Sequence, residues 1–211
     1  MERCGSRFER RARQQGAQCV AGVDEVGRGS LFGPVVAAAV ILDPRHHPRG
    51  LNDSKQLAPE ERELLAPRIR AQAVAWSVSA IDAGRIDHLN IWQASRLAML
   101  RAVEQLSPRP DWLLVDAFPL DWPGRQDAIV HGDALSVSIA AASILAKVHR
   151  DALLCRWDVI FPPYRLGSNK GYSTPEHLSA LAAYGCTPLH RRSYFPVARQ
   201  LPEYERALPT P

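Results

Sequence analysis

The sequence predicts an α/β fold in which a mixed central β-sheet is flanked by helices. Two apolar segments, residues 19–26 and 35–42, are separated by a glycine-rich turn and predict a β-hairpin. Helical and strand patterns then alternate along the rest of the chain, which is typical of a covered sheet. The 211 residues are 46% hydrophobic and 23% charged, a composition that suits one or two globular domains and excludes a disordered, collagenous or coiled-coil chain.

The later strands are short, and acidic residues follow two of them. Residues 73–81 alternate as a strand, and residues 112–115 are an apolar strand that ends at Asp116. Residues 128–130 predict another strand, which ends near Asp133. A carboxylate at the end of a strand faces a site, so both positions are candidates for chemistry.

Prolines and small polar residues mark where the helices begin. Pro59 opens a polar helix, Asn90 caps a second one, and Thr174 followed by Pro175 begins the last helix of the core. Residues 133–160 predict one long helix whose first half is apolar nearly all round and therefore buried on several sides.

These patterns predict one catalytic domain with short ends. Residues 1–17 are a charged lead-in, and residues 18–199 form the domain, which includes a small helical part at its C-terminal end. Residues 200–211 contain three prolines and little that could be buried, which predicts a disordered tail.

Charge and cysteine usage indicate a cytoplasmic protein with a polyanionic partner. Lys and Arg total 26 against 22 acidic residues, a mild excess of +4 that favours such a partner without requiring it. No signal peptide is evident, and the longest apolar run, residues 35–42, is too short for a membrane span. The four cysteines show neither a C-x-x-C pair nor zinc spacing, which favours a reducing compartment: Cys4, Cys19, Cys155 and Cys186.

Four acidic residues occupy positions where a carboxylate opposes folding. Asp24 and Glu25 lie inside an apolar strand, Asp116 follows another, and Asp133 precedes a buried helix. Taken singly, Asp133 is explained as a helix cap and Asp116 as a residue that forms a turn. Taken together, strand ends of one sheet converge, and grouped carboxylates repel unless a hard cation neutralises them. The pattern therefore predicts a site for Mg²⁺ or Mn²⁺.

The turn Gly27-Arg28-Gly29 follows the first acidic pair. Its backbone N–H groups can approach a ligand closely, and Arg28 can meet a phosphate. A dinucleotide-binding loop is the rival interpretation, but a helix should then follow, whereas Pro34 opens a strand. A plain hairpin turn remains the structural alternative.

Five ordered blocks between about residues 20 and 195 resemble bacterial ribonuclease HII. The blocks are Ala21-Gly22-Val23-Asp24-Glu25-Val26-Gly27-Arg28-Gly29 with Gly33-Pro34, Leu51-Asn52-Asp53-Ser54-Lys55, Val115-Asp116-Ala117, Gly132-Asp133 with Ser143 and Lys147, and Asn169-Lys170-Gly171-Tyr172 with Thr174 and His177. The resemblance implies an RNase H-like fold. It also implies a monomeric enzyme that cleaves the RNA strand of RNA–DNA hybrids and single ribonucleotides in duplex DNA, leaving 5′-phosphate and 3′-hydroxyl ends.

The resemblance also assigns roles to the four acids. It implies two-metal catalysis in which Asp24 bridges both ions, Asp116 and Asp133 each complete one shell, and Glu25 assists. Adjacent residues of a regular strand point to opposite faces, so either the strand is irregular or Glu25 uses its backbone carbonyl.

Substrate contacts follow from the same blocks. By resemblance, the backbone of Gly27, Arg28 and Gly29 contacts the 2′-OH, and Tyr172 stacks on the neighbouring sugar. On its own, Tyr172 would be interpreted as a loop aromatic that fills a groove. The expected phosphate contacts are Lys55 and Lys147, and the weaker candidates are Asn52, Ser143, Lys170 and His177.

Two positions depart from the family pattern. His131 stands where Lys is common before Gly-Asp, and Ala117 stands where Gly often follows Asp116. Ribonuclease HIII is a poorer match, because it carries a domain before its catalytic core and a Glu in place of Asp133. The competing functions are an RNase H-like DNA nuclease, such as a junction resolvase, and a non-catalytic binding module, which has no use for converging acids.

Overall fold

The computed structural model describes residues 4–202, which form two compact units. Among the described residues, the first unit comprises residues 4–26, 36–79 and 96–148, and the second comprises residues 27–35, 80–95 and 149–202. The predicted domain limits at residues 18 and 199 stay a prediction. Most of the predicted tail, residues 203–211, lies outside the described residues.

A five-stranded mixed sheet confirms the predicted fold class. Its strands, in the spatial order β3-β2-β1-β4-β5, are β1 (Val20–Val26), β2 (Val35–Leu42), β3 (Ala73–Ile81), β4 (Trp112–Asp116) and β5 (Arg125–Ile129). β1 and β2 pair antiparallel, as the predicted hairpin requires. The pairs β1–β4 and β4–β5 are parallel, so β1 and β4 end at the same edge of the sheet.

The helices follow the predicted capping signals. They are α1 (Arg7–Gln14), α2 (Pro59–Gln72), α3 (Ala83–Leu89), α4 (Ile91–Glu104), α5 (Gly132–Leu135), α6 (Val137–Ile160), a 3₁₀ turn (Pro162–Tyr164), α7 (Leu166–Asn169), α8 (Pro175–Tyr184) and α9 (Phe195–Ala198). The Asn90 side chain accepts from the N–H of Gln93 at 3.1 Å, and Thr174 accepts from that of His177 at 3.3 Å. Within residues 4–202, no helix is both long and apolar enough to cross a membrane.

The prediction of a single long helix over residues 133–160 is wrong, because extended backbone at Ser136 separates α5 from α6. The break is stabilised from the distant N-terminal segment. Glu9 is only 2% exposed, and its Oε1 accepts from the Ser136 hydroxyl at 2.6 Å and from the Ser138 N–H at 2.9 Å. Glu9 thus satisfies the first turn of α6, a role that the charged lead-in did not reveal.

β5 is longer and begins earlier than the predicted strand at residues 128–130. It pairs in continuous register with β4, from Trp112 opposite Arg125 to Asp116 opposite Ile129. The polar residues that begin this strand at the edge of the sheet give little apolar pattern, which is why the sequence did not reveal them.

β1 and α6 make a close contact that requires glycine. A Cβ atom added to Gly22 would lie 2.1 Å from the carbonyl carbon of Ser138 and 2.3 Å from the amide nitrogen of Ile139. Both atoms belong to the backbone of α6 and cannot move aside. The small buried residues Ala140 and Ala141 continue this packing along the helix.

The second unit has its own core. Phe32, Leu154, Tyr164, Leu166 and Leu181 are buried together in one apolar cluster. Arg150 and Arg191 are also fully buried. A buried guanidinium must find several hydrogen-bond acceptors, so the surrounding backbone has to supply them.

We expect Gly22→Ala to lower the free energy of unfolding by about 1–3 kcal/mol, because the methyl group overpacks the contact with α6. Gly84→Ala is the control. Its Cβ would lie in ordinary contact, 3.4 Å from Asp82, inside α3, so it should raise stability by up to about 1 kcal/mol. Chemical denaturation of both variants measures the difference, and equal stabilities would contradict the close contact.

Candidate active site

The sheet gathers acidic residues at one edge of the first unit. Asp24 and Glu25 lie near the end of β1, and Asp116 is the last residue of β4. Because Val23 pairs with Val115, the next residues, Asp24 and Asp116, occupy matching positions on neighbouring strands. Asp133 lies in α5, which follows β5.

The neighbouring acids raise the pKa values of Asp24 and Asp116. Burial raises the pKa of Asp24 well above its usual value, and the charges of Glu25, Asp116 and Asp133 raise it further. A hydrogen bond from Ser143 opposes this rise. Burial also raises the pKa of Asp116, as does the neighbouring Asp133 charge. The sequence prediction that these acids meet is therefore supported by their mutual repulsion.

β1 is regular where it carries the acidic pair. Its pairing with β2 continues without a bulge to Val26 opposite Val36, so the irregular strand considered from sequence is absent. The N–H of Glu25 donates to Asp24 Oδ1 at 2.7 Å, which fixes the orientation of that carboxylate. Asp24 is 5% exposed and Glu25 is partly exposed, as opposite faces of a strand require.

Both departures from the family pattern occupy left-handed backbone. Ala117 has φ +61° and His131 has φ +56°. Glycine adopts this conformation freely, whereas for a residue with a side chain it raises the conformational free energy by about 1–2 kcal/mol. Ala117 therefore carries strain directly after Asp116, whose Oδ1 accepts from the N–H of Gly132 at 2.8 Å.

Several predicted substrate residues of the first unit lie beside the acids. Lys55 Nζ is 3.4 Å from Asp133 Oδ2. Partial burial lowers the pKa of Lys55, but the charges of Asp133, Asp53 and Asp24 outweigh it and leave a net rise. Ser143 also shares a 2.8 Å hydrogen bond with Ser54.

The other two candidates of this unit make weaker contacts. Asn52 is half-buried and donates to the Gln56 side chain at 3.4 Å. Lys147 is half-buried on α6.

The segment Gly27–Val35 of the second unit is held by Arg150. Gly27 has φ +93°, and a Cβ atom there would lie 2.2 Å from Arg150 Nε, so only glycine fits. The guanidinium distributes its donors over the surrounding segments at 2.7–3.1 Å: to the carbonyls of Pro34, Phe32 and Lys170 and to the hydroxyl of Ser30. Burial lowers the pKa of Arg150 to about 10.

Arg191 holds the same segment at Arg28. Its Nη1 donates to the Arg28 carbonyl at 2.8 Å, its Nε donates to that of Gly33 at 3.0 Å, and the Tyr194 hydroxyl also donates to the Arg28 carbonyl. Sequence reasoning missed Arg150 and Arg191, since an arginine in a polar helix or loop normally lies at the surface.

Tyr172 and Lys170 lie in one short segment of this unit. The Tyr172 ring is 38% exposed, and its Cε1 would lie 3.8 Å from a Cβ on Gly29, so the two predicted recognition elements adjoin. Lys170 Nζ donates to the carbonyl of Gly167 at 2.6 Å. That contact favours a structural role for the Lys170 ammonium over a phosphate contact.

Residues 21–197 match the sequence profile of the family described as Ribonuclease HII. The chain belongs to the ribonuclease HII family. It is 59% identical over 195 residues to a ribonuclease HII of Koribacter versatilis (strain Ellin345), across 92% of this chain and 77% of that protein. It is 60% identical over 195 residues to a ribonuclease HII of Solibacter usitatus (strain Ellin6076), across 92% of this chain and 86% of that protein.

A solved structure supports the same assignment. The chain is similar to the crystal structure of ribonuclease H2 from Pyrococcus horikoshii OT3, with a TM-score of 0.74 and 26% identity over 87% of this chain and 97% of that one. The predicted RNase H-like fold is thereby confirmed. As a type II ribonuclease H, the protein hydrolyses the RNA strand of RNA–DNA hybrids.

The donor set of this ribonuclease HII suits a hard divalent cation. Asp24, Asp116 and Asp133 offer carboxylate oxygens, and Glu25, whose side chain lies on the other face of the regular strand, can offer its backbone carbonyl. Mg²⁺ and Mn²⁺ prefer such oxygen ligands, and positive charge relieves the repulsion of the carboxylates. Among residues 4–202, no three His, Cys, Asp or Glu side chains already meet the spacing of a metal site. The acids therefore fit the ion in chemistry.

We expect Asp24→Asn to raise the melting temperature at pH 8 in EDTA, because it removes a buried charge from the repelling group. The folded-state pKa of Asp24 lies above its unfolded value, so its ionised form destabilises the fold. As pH falls through the folded pKa of Asp24 the difference should begin to shrink, and it should vanish only below the lower pKa of the unfolded chain. Thermal melts at pH 8 and at lower pH test this, with the exposed Asp121→Asn as a control that should match wild type.

Proposed function

We propose that Asp24, Glu25, Asp116 and Asp133 are the catalytic residues of this ribonuclease HII. Water would attack the phosphodiester on the 5′ side of a ribonucleotide, the bond from phosphorus to O3′ would break, and a 5′-phosphate and a 3′-hydroxyl would remain. The observation that carries the proposal is that Asp24 and Asp116 lie at matching positions on neighbouring strands, and that the Asp116 carboxylate accepts from the N–H of Gly132, the residue before Asp133. The charges of these acids repel one another. A fold gains no stability from such repulsion, so function is its best explanation.

Divalent cations, Mg²⁺ or Mn²⁺, would be held by Asp24, Asp116 and Asp133, with Glu25 assisting. Bound there, they supply charge neutralisation and an activated water for in-line displacement. The N–H of Glu25 orients Asp24, and that of Gly132 orients Asp116. Ser143, bonded to Ser54, steadies the Asp24 carboxylate.

Lys55 and Lys147 are proposed phosphate contacts. The Lys55 side chain is 80% exposed, so its ammonium can reach a phosphate as well as Asp133. Asn52 is a weaker candidate of the same kind, because its amide already donates to Gln56.

Recognition of the ribonucleotide is proposed for the second unit. The backbone of Gly27, Arg28 and Gly29 would contact the 2′-OH, the one group that distinguishes RNA from DNA at a given position. Arg191 donates to the carbonyl of Arg28, and Arg150 donates to the Ser30 hydroxyl directly after the turn, which leaves the conformation of this segment little freedom. The partly exposed Tyr172 ring would stack on the adjoining sugar. These proposed contacts would support cleavage at single ribonucleotides in duplex DNA. We also propose that the enzyme acts as a monomer in the cytoplasm.

A DNA nuclease of the same fold, such as a junction resolvase, is the alternative function. It would cleave duplexes that contain no ribonucleotide, for which a 2′-OH contact has no purpose. Matched duplexes that carry zero, one or several ribonucleotides separate the two activities directly. Cleavage of the all-DNA duplex would favour the alternative.

We expect Asp24→Asn to abolish cleavage with Mg²⁺ or Mn²⁺ while it preserves much of the duplex affinity, since it removes a metal ligand and no phosphate contact. Replacement of Asp116 or Asp133 should also cost orders of magnitude. Single-turnover cleavage and equilibrium binding of the same duplex measure both properties. Turnover near the wild-type rate in Asp24→Asn would contradict the assignment.

We expect Tyr172→Ala to lose most activity on a duplex with one ribonucleotide and less on a continuous hybrid. The ring would stack on a flat deoxyribose face, whereas a ribose adds a hydroxyl that loses water against the ring. Tyr172→Phe should keep much of the activity if stacking dominates. Values of kcat/KM for both variants on the two substrates decide this. Equal losses would show that Tyr172 does not recognise the junction between the ribonucleotide and the deoxynucleotide that follows it.

A further inference from the structure

Four residues of the second unit form a continuous chain of hydrogen bonds that ends at Tyr172. The N–H of Thr187 donates to His190 Nδ1 at 2.9 Å, His190 Nε2 lies 3.1 Å from His177 Nε2, and His177 Nδ1 lies 2.9 Å from the Tyr172 carbonyl oxygen. His177 and His190 are 0% and 1% exposed. We call this chain of four residues the histidine relay.

The two ends of the histidine relay determine where every proton sits. A backbone N–H can only donate, so His190 Nδ1 is an acceptor and its proton is on Nε2. That proton is donated to His177, whose Nε2 is therefore bare and whose proton is on Nδ1. A carbonyl can only accept, so this last proton is donated to Tyr172. Both imidazoles are thus neutral, each in a single tautomer.

The surroundings preserve this neutral state. Burial among aromatic rings lowers the pKa of His177 and lowers that of His190 to about 3. The rings of Phe32 and Tyr164 lie 4.8 and 4.9 Å from that of His190. A second proton on His177 would point its Nε2–H at the Nε2–H of His190. A second proton on His190 would point its Nδ1–H at the N–H of Thr187.

The relay fixes the backbone of Tyr172 and leaves the ring accessible. The same Tyr172 carbonyl accepts from the N–H of Thr174 at 2.8 Å, and the preceding carbonyl, of Gly171, accepts from that of Leu31 at 2.8 Å. The side chain nevertheless remains 38% exposed. Anchoring a residue by its main chain while its ring faces solvent is the arrangement expected of a stacking platform.

We infer that His177 and His190 are positioning residues for Tyr172, and that the relay sets how well the enzyme distinguishes a single ribonucleotide in DNA from a continuous hybrid. The inference rests on the proposed role of Tyr172. The histidines contact no reacting atom and act only through the tyrosine. Their removal should therefore alter substrate preference more than the rate on hybrid.

Two variants of His177 separate the hydrogen bond from simple packing. His177→Asn keeps an N–H donor near the position of Nδ1, whereas His177→Leu fills the space without a donor. We expect His177→Leu to lower the kcat/KM ratio of single-ribonucleotide duplex to hybrid by about five- to tenfold, the worth of one hydrogen bond, and His177→Asn to restore much of it. In a Tyr172→Ala background, His177→Leu should lower the ratio no further.

Tyr164→Phe is the matched control, because it removes a buried hydrogen bond, to the Gly185 carbonyl, from the same core without entering the relay. It should lower stability and leave the substrate ratio unchanged. An unchanged ratio in His177→Leu, or an equal fall in Tyr164→Phe, would overturn the inference.

Side-chain ¹⁵N NMR of the wild-type protein supplies an independent readout. It should show a protonated Nδ1 on His177 and a bare Nδ1 on His190, and a charged ring or the opposite tautomers would overturn the relay. If Tyr172→Ala instead affected both substrates equally, the proposed junction reading would fail, while the tautomers would still report on the relay itself.

Discussion

The contact between the central strand β1 and helix α6 underlies the acidic site. With no side chain at Gly22, the helix backbone lies directly on the strand. The same strand carries Asp24 two residues later, and the same helix carries Ser143, which hydrogen-bonds to that carboxylate. Strand, helix and carboxylate are thus fixed by one steric fit. Any side chain at position 22 would shift the helix and, with it, the polar partner of Asp24.

Buried charge is handled differently in the two units. In the first unit, carboxylates lie near one another without enough positive charge or hydrogen bonds to balance them. Their raised pKa values show that the ionised forms are unfavourable there. In the second, Arg150 and Arg191 are buried but find backbone carbonyls and hydroxyls as acceptors. The carboxylates of the first unit repel one another, and a bound cation can relieve that repulsion. The arginines of the second unit hold loops in place through their hydrogen bonds. Each solution suits its proposed role, in chemistry and in recognition.

The buried neutral histidines near Tyr172 are also fully hydrogen-bonded. Every ring nitrogen of the two buried histidines has a hydrogen-bond partner, and His190 Nδ1 lies near both the N–H and the hydroxyl of Thr187, so neither imidazole leaves a hydrogen bond unmade. A chain of donors whose ends are both main-chain groups resists rearrangement, because reversing one bond would require reversing all of them.

The sequence by itself determined the antiparallel hairpin, the mixed sheet, the caps at Asn90 and Thr174, and the four acids, because periodicity, capping and misplaced charge are local signals. Only the tertiary structure decided the break at Ser136, since its partner Glu9 lies 127 residues away in the chain. The roles of Arg150, Arg191 and His190 were equally invisible. The two arginines donate largely to main-chain carbonyls of distant segments, which the identity of the residues carrying them does not reveal. The partner of His190 is the side chain of His177, which only the packing of the second unit brings to it.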